Sequence, residues 1–559
     1  MDYLDDLVFT IFNLQIENAM KFKLIVLGVL LVFTSCLSKV EVDTIVFNGQ
    51  IYSLDSVNTT YTAMAIDEGR IVTLGSDDLK DRFMAKKLVD LEGKAVVPGL
   101  IDAHSHFYGL GLGTLHVDLV GTESIDEVLD RIEIFRSQNS DIDFIYGRGW
   151  DQNDWDIKEF PTRFDLDRRF SNLPVVLERV DGHAYWVNSK AIELAGIDSN
   201  TSTEGGAVIL LNGAPSGVLV DGPMRYIDAV MPPPSRDQQI KGLLAAQEIC
   251  FDYGLTTVSD AGISKEVIQL IDSLQQEGLL KIRLYAMISN TEADVNYFLD
   301  KGPYKTDRLN VSSVKVYGDG ALGSRGAALK RPYADAPGHF GAFVTPVDQM
   351  RAIAERLIDS DFQMNTHAIG DAANFEVLSI YQDLLSEQED RRWRIEHAQI
   401  VDELDFSLFS KGVIPSVQPT HATSDMYWAE DRLGHERMTG AYAYQTLLAE
   451  SGIVALGTDF PVESVNPYYT FYAAVARKDL KGYPDEGFIP EQSLSREQAL
   501  RGMTEWAAYA QFEENEKGRL LPGFFADFTV LSADLMTASE KDLPLIEAEM
   551  VFVSGERVK

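Results

Sequence analysis

His104 and His106 stand two residues apart at the end of Val97-Pro98-Gly99-Leu100-Ile101-Asp102-Ala103-His104-Ser105-His106. Pro98-Gly99 makes a turn, Leu100-Ile101 gives an apolar start to a buried strand, and on a strand residues i and i+2 share a face. Two neutral imidazoles on one face at a strand's C-terminal end can chelate one metal ion. Such a pair alone also fits two polar residues on a loop, so the weight falls on its company. Lys315 lies inside Ser313-Val314-Lys315-Val316-Tyr317, His367 follows Asn365-Thr366, His397 follows Ile395-Glu396, and Asp459 closes Leu456-Gly457-Thr458-Asp459.

These residues share one kind of carrier, a short apolar run followed by a helical stretch. The runs are Thr256-Val258, Ile282-Ala286, Ser313-Tyr317, Gln363-Thr366, Arg394-Glu396, Val413-Val417 and Ile453-Leu456. With the strand before His104 they make eight β units alternating with helices, the pattern of an α/β fold of the (β/α)8 (TIM) barrel type. A barrel presents its chemistry at the C-terminal ends of its strands. Four of the nine histidines fall at such ends. The spacing breaks once, over about 115–252, which reads as a large insertion after the first barrel strand.

The flanks have another grammar. Thr44-Phe47, Asn48-Gly49 and Gln50-Tyr52 read as one hairpin, and Ala63-Ile66, Glu68-Gly69 and Ile71-Leu74 as a second. Ala526-Leu531 and Met550-Val553 repeat the pattern at the other end. Neither end closes a sheet alone, so 40–98 and 518–559 are expected to form one small composite β-sandwich domain, with 99–517 as the barrel.

Composition excludes some functions. With 559 residues and 45% hydrophobic content the chain can bury a large core. A net charge of -37 argues against nucleic acid, since phosphate contacts need clustered Lys and Arg. The two cysteines, Cys36 and Cys250, imply no disulfide framework. Lys21 and Lys23 precede an apolar run, Leu24–Phe33, that is too short to span a bilayer and then meets Thr34-Ser35-Cys36. Residues 1–36 therefore read as an upstream extension and an export signal. The acidic residues before Met20 suit no signal, which points to Met20 as the working start.

Taken together, several segments resemble the amidohydrolase superfamily of metal-dependent hydrolases, specifically amidohydrolase family 3 (YtcJ-like). They are Pro98–His106, Gly147–Gln152, Asp181–Ser189, Val314–Ala327, His367–Asp371, Glu396–Gln399 and Gly457–Glu463, and the likeness covers nearly all of the chain beyond the signal. It implies that His104, His106 and Asp459 hold a buried metal and that His367 and His397 hold a second. Lys315, carboxylated by CO2, would bridge the two; a lysine capping a strand end is the alternative. The cofactor expected is one or two divalent ions, zinc for a His-rich set. The region around Cys36 resembles a lipoprotein lipobox, implying lipidation there and a membrane-tethered, exported protein.

Asp459 is then the expected general base and acid, taking a proton from metal-activated water and passing it to the leaving nitrogen. His183 is expected to reach the site from the insertion as a substrate contact or a structural histidine. Asp319 and Arg325, in the Gly-rich loop after Lys315, are expected to orient polar groups of the substrate. Trp150 and Trp155 fit an aromatic pocket or, better, buried packing. His116, His339, His421 and His435 stay unassigned, His421 being close enough after the seventh strand to touch a ligand. The leading expectation is hydrolysis of a non-peptide carbon–nitrogen bond in an amide, N-formyl or N-acyl amine or cyclic amide. A ring deaminase and a non-catalytic binding lipoprotein are the alternatives. The partners expected are a small-molecule substrate and a membrane reached only through the lipid, with homodimerisation left open.

Overall fold

The computed structural model describes residues 39–559 apart from 140, 141, 180, 181, 183, 202–205 and 387–389, together with a scatter of positions between 8 and 23. Cys36 and His183 lie outside the described residues. No helix among the described residues is long and apolar enough to cross a membrane.

Eight parallel strands form the centre: β1 (Leu100–Ser105), β2 (Leu255–Ile263), β3 (Arg283–Ser289), β4 (Leu309–Tyr317), β5 (Gln363–Ala368), β6 (Arg394–His397), β7 (Ile414–Val417) and β8 (Ala455–Leu456). Each pairs with the next in chain order. They are almost wholly buried because helices cover one face and the barrel interior takes the other. Alternation along β4 sends Val314 and Val316 outward into the core beneath the helices and Ser313 and Lys315 inward. The helix Lys265–Gln276, capped by Ser264, turns Val267, Ile268, Ile271 and Leu274 toward that core.

The seam between β8 and β1 is closed past the end of β8. Asp459 N donates to His104 O at 2.8 Å and His106 N to Phe460 O at 2.8 Å. Asp102 accepts from Thr458 N at 3.1 Å and from Thr458 Oγ1 at 2.7 Å. The approach requires glycine at 457, where a Cβ would stand 2.5 Å from His104 N. This seam sets His104, His106 and Asp459 side by side.

Two sheets built from both flanks lie face to face. One orders Arg70–Gly75, Ala63–Asp67, Val40–Phe47 and Phe83–Asp90; the other runs from Glu556–Arg557 through Ala548–Val553, Phe528–Leu531, Ala95–Pro98 and Gln50–Tyr52 to Thr60–Tyr61. Val46, Ile66 and Ile71 from the first meet Val96, Phe528 and Phe552 from the second. Ala63–Asp67 and Arg70–Gly75 form the expected hairpin. The other expected hairpin is not there. Val40–Phe47 and Gln50–Tyr52 pair in different sheets, so Asn48-Gly49 carries the chain across the sandwich instead of folding it back. An Asn-Gly turn specifies a reversal only when the flanking strands bury their faces together, and here each face finds a different partner.

The insertion folds around its own six-stranded mixed sheet, from Val117–Asp118 to Ala214–Asp221. Trp150, Trp155 and Trp186 are buried there, with Trp150 and Trp186 5.9 Å apart between ring centroids. Trp150 Nε1 donates to Leu177 O at 2.9 Å and Trp155 Nε1 to Thr122 O at 3.0 Å, so both indoles are packing residues with satisfied N–H groups.

Candidate metal centre and active site

The side chains scattered from 104 to 459 meet at the C-terminal mouth of the barrel. His104 is fully buried, and its Nδ1 lies 2.5 Å from Glu396 Oε2. Ionised carboxylate oxygens only accept, so Nδ1 carries the hydrogen and Nε2 presents its lone pair to the cleft. Glu396, also fully buried, is held by Arg394, whose Nη2 donates to Glu396 Oε2 at 3.1 Å, Ala103 O at 2.6 Å and Ser416 Oγ at 2.8 Å. Burial alone would raise the Glu396 carboxyl, but Arg394 and His104 hold it down at about 2.

Around His104 Nε2 stand Lys315 Nζ at 3.4 Å and Asp459 Oδ1 at 3.5 Å, and His106 Nε2 lies 3.2 Å from the same Asp459 oxygen. The ligand atoms of His104, His106 and Asp459 lie within 4.8 Å of one another, as do those of His397, His421 and Asp459. His397 is 4.9 Å from His104 and 4.4 Å from His367 between ring centroids. His397 and Asp459 both take a left-handed backbone, φ 76° and 63°. Non-glycine residues at such angles cost on the order of 1 kcal/mol or more and persist where the surroundings fix them, as at binding sites.

The donor set fits a divalent cation. Burial, reinforced by Lys315, holds His367 down at about 3, and burial holds His397 well below the usual imidazole range, so both are neutral and able to ligate. His397 Nδ1 is buried without a hydrogen-bond partner among the described residues. Burial works against the Asp459 carboxylate, but its imidazole neighbours, with His106 and His421 as donors, keep it well below the ordinary carboxylate range. Burial likewise draws the Lys315 ammonium down to about 8 against the pull of Glu396 and Asp459, which leaves a substantial share of neutral amine near pH 8.

Two expected substrate contacts have other duties. Asp319 is buried and accepts from Ala328 N at 2.9 Å, Ile369 N at 2.9 Å and Gly370 N at 2.8 Å, with Oδ1 3.5 Å from His367 Nε2. It ties the loops after β4 and β5 together and stands behind His367. Burial pushes it up to about 7 while those backbone donors oppose the shift. Arg325 reaches no part of the cleft wall and instead grips Asp335 with Nε at 3.0 Å and Nη2 at 2.7 Å.

His421, on the helix Pro419–Asp425, is the group that sequence reasoning left without a role. Its Nε2 is 3.3 Å from Asp459 Oδ2 and its Nδ1 3.3 Å from Glu463 Oε1. Burial opposes its charged form, but the two carboxylates prevail and push it up to about 10. Glu396 was also missed as a functional group, although Arg394 and Glu396 at i and i+2 on β6 necessarily share the barrel's inner face.

Residues 87–559 match the Amidohydrolase family. The chain belongs to that family. This amidohydrolase is 31% identical over 523 residues, 91% of its length and 98% of the relative's, to the Bacillus subtilis protein YtcJ, itself named as an amidohydrolase. It is 24% identical over 542 residues, 92% of its length and 97% of the relative's, to an N-substituted formamide deformylase of Arthrobacter pascens. Its structure resembles a metal-dependent hydrolase from Pyrococcus horikoshii with a TM-score of 0.76 and 27% identity, covering 89% of this chain and 99% of that one. The amidohydrolase is thus a metal-dependent hydrolase of carbon–nitrogen bonds other than peptide bonds.

Replacing Glu396 by Gln is expected to weaken metal binding by roughly 10- to 100-fold, the usual effect of losing the carboxylate behind a ligating imidazole. Competition with a chromogenic chelator measures it. An unchanged affinity would show that Glu396 only fills space.

Proposed function

We propose that the amidohydrolase cleaves the amide bond of an N-formyl or N-acyl amine, releasing an acid and an amine. The observation that carries this reading is the meeting of His104, His106, His367, His397 and Asp459 around one cleft with a buried Lys315 among them. The likeness to an N-substituted formamide deformylase supports the choice of amide.

His104, His106 and Asp459 would hold one divalent ion, and His367 and His397 a second, zinc being the choice for an imidazole-rich set. Lys315 would join them as a carbamate: its neutral amine adds to CO2, a nitrogen–carbon bond forms, and one proton is released. When bound, such an ion polarises the substrate carbonyl and lowers the pKa of a water molecule toward about 7. Asp459 accepts the proton of the attacking water and delivers it to the departing nitrogen. Glu396 fixes the ring of His104, and His421 fixes the free oxygen of Asp459.

Chelator treatment is expected to remove activity on N-formyl and N-acyl amines, and zinc with bicarbonate to restore it. Product analysis then separates reactions: an acid and an amine support the proposal, whereas ammonia from an amino-substituted ring identifies a deaminase. A purified protein that takes up no metal would overturn both.

A further inference from the structure

The cleft above the imidazoles holds about 400 Å3 and has a mixed lining. Its apolar part includes Leu322 and Gly323 from the loop after β4, Ile369 from the loop after β5, and Trp428. Its polar part includes Gln399, His421, Asp425 and Glu463. A volume of this size suits a small organic molecule and not a polymer chain.

Trp428 bridges two segments of the chain. It follows the helix that succeeds β7, yet its six-membered ring rests on the loop after β4. A Cβ at Gly323 would come within 3.1 Å of Trp428 Cη2 and 3.3 Å of Cζ2, so the indole edge lies against bare backbone there. The ring therefore roofs part of the cleft. Its position is fixed from outside: the Arg432 guanidinium stands 5.6 Å from the ring centroid, and Arg432 Nε donates to Gly323 O at 3.2 Å. Asp335 receives both Arg432 and Arg325, the latter at 2.7 Å. Arg325 thus bears on the cleft through the roof's anchorage.

The polar groups of the lining are already engaged. Asp425 accepts from Gln399 Nε2 at 2.9 Å and from Tyr442 Oη at 2.8 Å, and Glu463 accepts from Ser424 Oγ at 2.7 Å besides His421. The charge of His421 is already shared between Asp459 and Glu463, each at 3.3 Å, so a substrate carboxylate placed there would meet the Asp425 and Glu463 carboxyl groups, which is repulsive inside a partly dry cleft.

We propose that Trp428 is a specificity-determining residue, and that the cleft takes amides whose amine carries an uncharged apolar group of aromatic size, laid beneath Trp428 and against Leu322 and Ile369, while disfavouring substrates that bear a carboxylate. The inference rests on the amide-hydrolysis reading above, and its test includes a measurement independent of turnover. With the metal-loaded enzyme, N-phenethylformamide is expected to surpass N-methylformamide in kcat/KM. Trp428→Ala lowers the value for the phenethyl compound by roughly 10- to 100-fold, the worth of burying a ring-sized apolar group, and changes that for the methyl compound by no more than about twofold. Trp428→Phe recovers most of the loss. N-Formylglycine is expected to be at least about 10-fold poorer than the neutral N-propylformamide.

Calorimetry supplies the independent measurement, with the neutral 2-phenylethanol as the probe. Binding to the wild type that weakens in Trp428→Ala, without turnover of any amide, would sustain the cleft's preference and remove the proposed reaction. Equal effects of Trp428→Ala on the phenethyl and methyl compounds, or equal use of N-formylglycine and N-propylformamide, would overturn the preference and leave the reaction standing.

Discussion

Asp459→Asn is expected to lower kcat by a factor of roughly 10^3 or more while the protein keeps most of its metal. Asn preserves the size of the side chain and one oxygen that can ligate, but its amide neither accepts the water proton nor returns it to the leaving nitrogen. Both candidate metal groups include position 459, where Asn still offers its amide oxygen, and four imidazoles, His104, His106, His367 and His397, remain around it, so cation binding is expected to persist. The effect is large because Asp459 is the meeting point of three contacts: His104 at 3.5 Å, His106 at 3.2 Å and His421 at 3.3 Å. Burial opposes its charge, but His106 and His421 favour the ionised carboxylate and point its oxygens. Metal analysis and steady-state kinetics on the same sample decide the matter. Activity within tenfold of wild type would remove Asp459 from the proton path and shift attention to Glu463 and His421.

The second large effect is on stability. Arg283 opens β3 at the barrel's lower end and is buried, with Nε 2.5 Å from Asp527 Oδ2 and Nη2 2.9 Å from Asp527 Oδ1. Nη2 also reaches Ser554 Oγ at 2.8 Å, and the guanidinium lies 3.7 Å from the Phe525 ring centroid. One side chain thus joins the barrel to the sandwich. Arg283→Ala strands the Asp527 carboxylate in a dry seam with the Ser554 amide as its remaining close donor, at 2.7 Å. The expected cost is about 3–5 kcal/mol, a large part of a total that for most proteins is about 5–15 kcal/mol. Replacing both partners, Arg283→Met with Asp527→Leu, is expected to recover much of the loss, since no buried charge is then left alone. Denaturant unfolding followed by circular dichroism measures each variant. A loss below about 1 kcal/mol for Arg283→Ala would place the strength of the seam elsewhere.

The barrel was legible because short strand-like runs alternate with helical stretches and its chemistry sits at their ends, so runs such as Ser313–Tyr317, with Lys315 inside it, and Arg394–Glu396, with His397 after it, carried the signal. Lys315 was placed by the resemblance to the amidohydrolase family, and alternation along β4, with Val314 and Val316 in the core, agrees with it. The sandwich was legible in composition but not in pairing: Asn48-Gly49 has the chemistry of a reversal and the surroundings of a crossing. Asp319 and Arg325 show another limit. Both belong to a motif that follows a ligand-bearing strand, and both are engaged within the protein, Asp319 with the amides of Ala328, Ile369 and Gly370 and Arg325 with Asp335. His421 was legible as a residue near the site but not in its role, because the Asp459 and Glu463 it meets stand on a different segment from its own helix, which starts at Pro419.

The pairing of Ala95–Pro98 with Phe528–Leu531 has a consequence for the order of events as the chain is made. The strand that leads into the first pair of imidazoles leaves the ribosome early, but its sheet neighbour arrives only after every barrel strand has been synthesised. Until then its edge is unprotected, and the sandwich holding the barrel's lower end cannot close. A premature stop anywhere in the last stretch of the message therefore disables the beginning of the protein as well as its end.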